Sequence, residues 1–97
     1  MTTRFTQTII ISPEALFQEV SGEIVILDLK SESYFGLDEV GARIWKLIEE
    51  HGELQKVFDV MLEEFDVEPD RLEADINDLI DELVKAELVN TGEQEAV

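Results

Sequence analysis

Residues 33–47, SYFGLDEVGARIWKL, contain the transition from a strand to a helix that decides the fold of this chain. Tyr34 and Phe35 are aromatic residues, which favour strands, and Asp38 belongs to the residue types that cap helices. After Asp38, apolar residues return every three or four positions, which predicts an amphipathic helix that packs on the core. Trp45 is the only tryptophan, and we expect it at the centre of that core. The residues before this stretch predict strands, and those after it predict helices.

Three strands in meander order are predicted ahead of the first helix, over residues 5–12, 23–30 and 33–37. The first is a β-branched run that ends at a proline, and the second is continuously apolar at its start. Residues 14–22 predict an irregular connection, which Leu16, Phe17 and Val20 can hold against the core. Ser21 and Gly22 mark a turn at its end.

Three helices are predicted after the strands, over about residues 38–50, 53–65 and 69–86. Gly52 is the residue type that commonly ends a helix, and Pro69 is favoured in a first turn. Leu88 and Val89 predict a short final strand, and residues 92–97 a frayed tail. The expected fold is α+β and winged helix-turn-helix-like, with a three-stranded antiparallel sheet followed by three helices. We expect one domain over residues 1–97, ordered over about 5–90.

Composition narrows the possible functions. There are no cysteines, which excludes disulfides and thiolate metal sites. No signal peptide is recognisable, and the longest apolar runs are too short to cross a bilayer. These features predict a cytoplasmic protein that does not associate with a membrane.

The chain is strongly acidic, with a formal net charge of −17. The charge is also unevenly distributed, because the first 46 residues carry seven acidic and four basic side chains and the remainder carry seventeen and three. Such a surface repels phosphate backbones and attracts basic partners. The alternative is that acidic helices only keep the protein soluble.

Motifs for catalysis are missing from the sequence. His51 is the only histidine, and its position beside Gly52 places it at the negative end of a helix dipole. No serine lies in a nucleophile motif, and no glycine-rich phosphate loop is present. Asp75, Asp78 and Glu82 can form a solvated helix face as readily as a metal site. We therefore expect no enzymatic activity, no metal and no cofactor.

Nucleic-acid binding is also not expected, despite the helix-turn-helix outline. The third helix would be the recognition helix, and Arg71 and Lys85 are its only basic residues. Acidic side chains along it outnumber these bases, so groove insertion would bring like charges against phosphates.

A peptide-binding groove is the remaining possibility. If the strand with Tyr34 is an edge strand beside the third helix, its free N–H and C=O groups can pair with an added extended peptide. Acidic side chains along the helix would then favour lysine or arginine on that peptide. The alternative is that Tyr34 and Phe35 are ordinary core residues and that the edge is covered.

The stretch from residue 23 to residue 89 contains ILDL, SYFGLDEVGARIW, a helix ending at Gly52 and a third helix closing on ELV. With these features it resembles the PqqD-like family. Members of that family are small recognition domains for ribosomally synthesised, modified peptides. The sequence is most similar to the stand-alone form from lasso-peptide gene clusters. The resemblance covers about residues 5–90.

This resemblance implies a domain that binds the leader segment of a precursor peptide and does no chemistry. The leader would pair as an antiparallel strand with the third predicted strand and pack on the third helix. The implied backbone-pairing residues are Glu32, Ser33, Tyr34, Phe35 and Gly36. The implied groove wall consists of Asp75, Ile76, Asp78, Leu79, Glu82 and Leu83. A separate leader peptidase of the cysteine-protease type and a cyclase are the implied partner enzymes.

A rival hypothesis is a winged-helix regulatory or scaffold protein that contacts another folded protein or its own copy through the same edge strand. Leader titration and sedimentation would distinguish the two. On the first hypothesis, proline at Phe35 is expected to weaken leader binding, because proline removes a backbone donor.

Overall fold

The computed structural model describes residues 7–93. In that range the chain forms β1 (Gln7–Ile11), β2 (Ala15–Val20), β3 (Glu23–Asp28), β4 (Ser33–Leu37), α1 (Glu39–His51), α2 (Leu54–Glu64), α3 (Pro69–Lys85) and β5 (Val89–Glu93). The strands β2, β3 and β4 pair in that order as a three-stranded antiparallel sheet, and the three helices follow it. The predicted α+β fold class is therefore confirmed.

Both hairpins of this sheet have turns that their sequences specify. Residues 21 and 22 both have positive φ, as a two-residue turn between twisted strands requires. The turn between β3 and β4 is held by the buried carboxylate of Asp28, which accepts hydrogen bonds from the Lys30 N–H (3.2 Å) and the Ser31 hydroxyl (2.8 Å). These two turns fix the register of the sheet.

The prediction for residues 14–22 is wrong, because most of this segment is β2 rather than an irregular connection. Ala15 and Phe17 face the core, while Leu16 and Val20 lie on the other face and are about half exposed. The segment thus has the alternation of a half-buried strand, which the polar residues in its middle obscure.

The position of the first strand is also corrected. β1 does not join the meander; it pairs antiparallel with β5, from Gln7 opposite Glu93 to Ile11 opposite Val89. Sequence neighbours often pair, but here the apolar segment after α3 is the partner. The predicted tail begins too early, since Gly92 belongs to β5. Its residues 94–97, like the start of the first predicted strand, lie outside the described residues.

The helix predictions are correct to within one residue at the ends. The Asp38 carboxylate caps α1 by accepting a hydrogen bond from the Gly41 N–H (2.9 Å). Gly52 ends α1 with φ +80° and donates its N–H to the Ile48 C=O (2.8 Å). Within residues 7–93, no helix is both long and apolar enough to cross a membrane.

All three helices and the three-stranded sheet contribute to one core. Trp45 is fully buried, as predicted, and its ring packs edge-to-face with that of Phe17, with centroids 5.5 Å apart. From the sheet come Ile24 and Ile26, and from α3 come buried residues that include Ile76. Burying one such aliphatic side chain stabilises the fold by about 1.5–3 kcal/mol. This shared core holds α3 and the sheet in one unit.

Candidate functional site

The outer edge of β4 is open in the part of the chain that the structure describes. β4 pairs with β3 on one side, and within residues 7–93 no strand pairs with its other side. An open edge exposes backbone donors and acceptors that another chain can use. The edge strand predicted from the sequence is therefore present.

The turn between β2 and β3 determines which backbone groups point to each edge. Both residues of the turn, 21 and 22, have positive φ, the conformation of a type I′ turn. Val20 and Glu23, which flank it, form a hydrogen-bonded pair, and bonded and non-bonded pairs then alternate along the ladder. The hydrogen bond from the Leu29 N–H to the Glu14 C=O (2.9 Å) continues this alternation beyond the strand end.

The same alternation determines the direction of the backbone N–H and C=O groups of β4. Every second residue of β3 from Glu23 onward directs its N–H and C=O toward β2, so the residues between them, such as Ile26, direct theirs toward β4. Phe35 lies opposite Ile26 and therefore uses its backbone groups within the sheet. Its neighbours Tyr34 and Gly36 direct their N–H and C=O toward the open edge. A strand added at this edge would therefore meet the backbone groups of these two residues.

A groove runs between this edge and α3. Two adjoining cavities, of about 330 and 290 Å³, share Asp38, Gly41 and Leu79. The first is also lined by Phe35, Gly36, Leu37 and Glu82, and the second by Val40, Ile44 and Asp75. We call this combined feature the β4–α3 groove.

The glycine at the start of α1 keeps the groove open. A Cβ atom added at Gly41 would lie 3.3 Å from both the Asp38 carboxylate and the Leu37 side chain, which is closer than most packed contacts. Gly36, by contrast, has no heavy atom within 4 Å of its added Cβ position. The groove therefore has little room for a side chain at Gly41, whereas a side chain at Gly36 would meet no obstruction at the strand edge.

The side chains that line the groove have one sign of charge. Asp38, Asp75 and Glu82 line it, and no lysine or arginine is among its lining residues. Arg71 approaches Asp75 at a distance of 3.9 Å, but both side chains are more than half exposed, so this contact offsets little of the charge. The apolar contribution comes from Leu79, Ile44 and the strand. The groove therefore combines an apolar floor with carboxylates.

The structure brings together part of the predicted strand segment. Phe35 and Gly36 line the groove. Tyr34 is 74% exposed and lies on the opposite face of the sheet, in a shallow cavity of about 320 Å³ with Leu16, Phe17, Gln18, Val25 and Leu27. Glu32 lies in the turn, where it has φ +61° and donates its N–H to the Asp28 C=O. Ser33 is exposed and lines none of these cavities.

The predicted wall on α3 divides into three groups. Asp75, Leu79 and Glu82 line the groove. Asp78 is exposed but lies outside both cavities. Ile76 and Leu83 are fully buried in the core, so they support the wall from behind and have no surface for a ligand.

Other groove residues were not predicted as site residues. Asp38 was recognised only as a helix cap, and Gly41, Val40 and Ile44 belong to α1 rather than α3. The spacing of Asp38 and Gly41 at the strand-helix corner was the available signal, since a small residue one turn into a helix permits close approach of another chain.

Among the described residues, no cluster of His, Asp or Glu side chains is arranged to hold a metal ion. His51 lies at the end of α1, as expected, with its Nε2 3.5 Å from a Glu50 carboxylate oxygen. His51 does not line the β4–α3 groove, and no histidine is among the residues that do.

Comparison with known proteins gives a consistent relationship. The family model described as coenzyme PQQ synthesis protein D (PqqD) matches residues 23–89. The solved structure of TbiB1 in complex with the TbiA(beta) leader peptide is 34% identical, with a TM-score of 0.81, and the match covers 89% of this chain and 99% of that chain. A lasso peptide synthetase B1 complexed with the leader peptide shares the fold, at 23% identity and a TM-score of 0.77, with 86% and 98% of the chains covered. A search of curated protein sequences found no match. Because the family model spans most of the chain and a relative above 30% identity aligns almost end to end, this protein belongs to the PqqD family.

Proposed function

We propose that this protein binds the leader segment of a ribosomally synthesised precursor peptide, of the lasso class, by β-strand addition to β4. The observation that supports this most strongly is the open edge at Tyr34 and Gly36, directly beside the β4–α3 groove. An extended peptide there can exchange main-chain hydrogen bonds with both residues and place alternate side chains in the groove. The 34% identical TbiB1, whose structure contains a leader peptide, supports the same ligand class.

The leader that fits this site is basic where it passes α3. Asp75 and Glu82 line the groove without a basic neighbour among its lining residues, and the whole chain has a net charge of −17. Such a field raises the association rate of a cationic peptide and favours it over a neutral one. Leu79 then contacts an apolar side chain of the same peptide.

The protein acts as a binding adaptor rather than an enzyme on this proposal. The groove offers carboxylates, leucine and backbone groups, and no nucleophile paired with a base. Removal of the leader and ring closure are then carried out by separate proteins, a leader peptidase of the cysteine-protease type and a cyclase. This chain presents the leader to them.

Amide hydrogen exchange on the full-length protein tests the pairing directly. In the free protein the Tyr34 and Gly36 amides should exchange rapidly and the Phe35 amide slowly, since only Phe35 donates within the sheet. Adding a synthetic leader, either TbiA(beta) or that of the precursor encoded beside this chain, should slow exchange at Tyr34 and Gly36. Calorimetric titration should show saturable binding that weakens as salt is added.

Two results would contradict the proposal. One is the absence of binding by any of these leaders. The other is binding that protects residues outside β4 and α3 while leaving Tyr34 and Gly36 unchanged. A concentration-dependent dimer that protects the same two amides without any peptide would instead support the scaffold alternative.

A further inference from the structure

The three-stranded sheet has a second open edge, at β2. β2 pairs only with β3 in the part of the chain that the structure describes. By the alternation set at the turn, the residues of β2 that direct N–H and C=O outward are Ala15, Phe17 and Glu19. The Ala15 N–H is taken by the Ser12 C=O (3.1 Å). Within residues 7–93, Phe17 and Glu19 are therefore the positions of this second edge whose outward backbone groups have no strand partner.

A cavity adjoins the β2 edge, as the groove adjoins β4. Its volume is about 450 Å³, within the usual range of ligand sites. Part of its wall is apolar and consists of Ile9, Ile11, Ala15, Phe17 and Ile48. The opposite part is the C-terminal end of α1, with Glu49, Glu50, His51 and Gly52. An extended segment paired with β2 can insert alternate side chains into this space.

The charges around this cavity favour a basic segment. Glu49 and Glu50 line it at the negative end of the α1 dipole. The nearby Lys46 is already paired with Glu19 (Nζ to Oε1, 2.9 Å), and His51 contacts Glu50. A second copy of this chain would bring another 17 negative charges to the same edge. A cationic partner is favoured over self-association.

We propose that the β2 edge is a second strand-addition site. Its occupant is an extended segment of a partner protein, with apolar side chains at alternate positions and lysine or arginine at the end nearest α1. The two edges lie two strand spacings apart, about 10 Å, so a peptide on β4 and a segment on β2 can be bound at once. One sheet then joins two different chains side by side.

The test uses a defined probe, a synthetic peptide of alternating valine and threonine that ends in two lysines. A matched peptide ends in two glutamates. Amide signals of the full-length ¹⁵N-labelled protein are followed by NMR during titration. The lysine peptide should shift the Phe17 and Glu19 amide signals, and its affinity should fall at high salt. The glutamate peptide should bind at least about tenfold more weakly, because its two terminal charges are reversed.

A pair of variants separates backbone pairing from loss of charge. Glu19→Pro and Glu19→Ala both remove the carboxylate that pairs with Lys46, but only proline removes the outward N–H. Proline at an edge position whose N–H faces solvent is compatible with the strand. Glu19→Pro should bind the lysine peptide with about tenfold lower affinity than Glu19→Ala does.

The proposal is overturned if the lysine peptide shifts only Tyr34 and Gly36, if the two Glu19 variants bind it equally, or if the protein dimerises through β2. These results leave the leader proposal unaffected, because leader binding is read at Tyr34 and Gly36. Loss of leader binding, in turn, does not alter the outcome at Phe17 and Glu19.

Discussion

Ile26 and Phe35 lie opposite each other in the β3–β4 ladder and direct their backbone N–H and C=O groups toward each other. This relationship leaves Tyr34 and Gly36 with outward-facing donors and acceptors. It also corrects the expectation for proline at Phe35, which would break the ladder inside the sheet rather than block an added strand. The informative positions for backbone substitution are its two neighbours.

Gly36→Pro should weaken leader binding by about tenfold, because it removes one outward N–H without a bond inside the sheet. Gly36→Ala is the matched control, since an added Cβ meets no heavy atom within 4 Å, and it should bind like the wild type. Titration calorimetry measures both affinities, and circular dichroism checks that both variants fold. Equal affinities would mean that Gly36 does not pair with the leader.

Leu79→Ala should lower leader affinity by about five- to tenfold, since Leu79 lines both parts of the groove. Because Leu79 is only partly buried against the core, this variant should lose less stability than Ile76→Ala. Ile76 is fully buried, so Ile76→Ala should cost about 2–5 kcal/mol of stability and leave leader affinity nearly unchanged. Urea denaturation and leader titration on both variants decide this, and a stable Ile76→Ala variant with lost binding would contradict the division between wall and core.

Glu82→Lys should reduce the association rate of a basic leader, because it reverses a charge that lines the groove. Glu73→Lys makes the same change in net charge on the other flank of α3 and is the control. Stopped-flow measurements at low and high salt should show a large difference between the variants only at low salt. Identical rates would indicate that net charge, and not the groove carboxylates, attracts the leader.

Glu64→Gln should slightly lower the melting temperature at neutral pH. The Arg43 Nε donates to the Glu64 Oε1 (2.8 Å) and joins α1 to α2, and this hydrogen bond holds the pKa of Glu64 below its ordinary 4.5. A carboxyl group with a lowered pKa in the folded state stabilises the protein above pH 4.5, and this contribution is lost as the pH falls through the lowered pKa.

The stability difference between wild type and Glu64→Gln should therefore shrink in acid. Calorimetry from neutral pH to below pH 4.5 measures this difference in melting temperature. Because the Arg43 and Glu64 side chains are about one third exposed, the effect should be small and should weaken with salt. Glu63→Gln makes the same chemical change on an exposed neighbour and is the matched control. Parallel curves for the two variants would mean that the ion pair contributes nothing.

The helices and the strand-helix corner could be predicted from the sequence because their signals are local. Asp38 caps α1 and Gly52 ends it in the structure, as their residue types indicate. β2 was missed because Gln18 and Glu19 interrupt its apolar residues. The pairing of β1 with β5 was missed because it joins residues more than 70 positions apart, and no local pattern specifies such a partner.

The site was only partly predictable for a related reason. Helical periodicity places Ile76, Leu79 and Leu83 on one broad apolar arc, but it does not tell which of them the sheet covers. Only Leu79, at the border of that arc, remains accessible to a ligand. Similarly, period-two alternation shows which side chains share a face, whereas the direction of each N–H depends on the hairpin turn at residues 21–22.

The β1–β5 ladder has a consequence for how this module can be combined with others. Gln7 is opposite Glu93, and paired residues in such a ladder have Cα atoms only about 5 Å apart. The two ends of the described chain therefore lie side by side. A larger host could accept the whole unit as an insert in one of its loops, or the ends could be joined and new ones opened elsewhere, without stretching either strand.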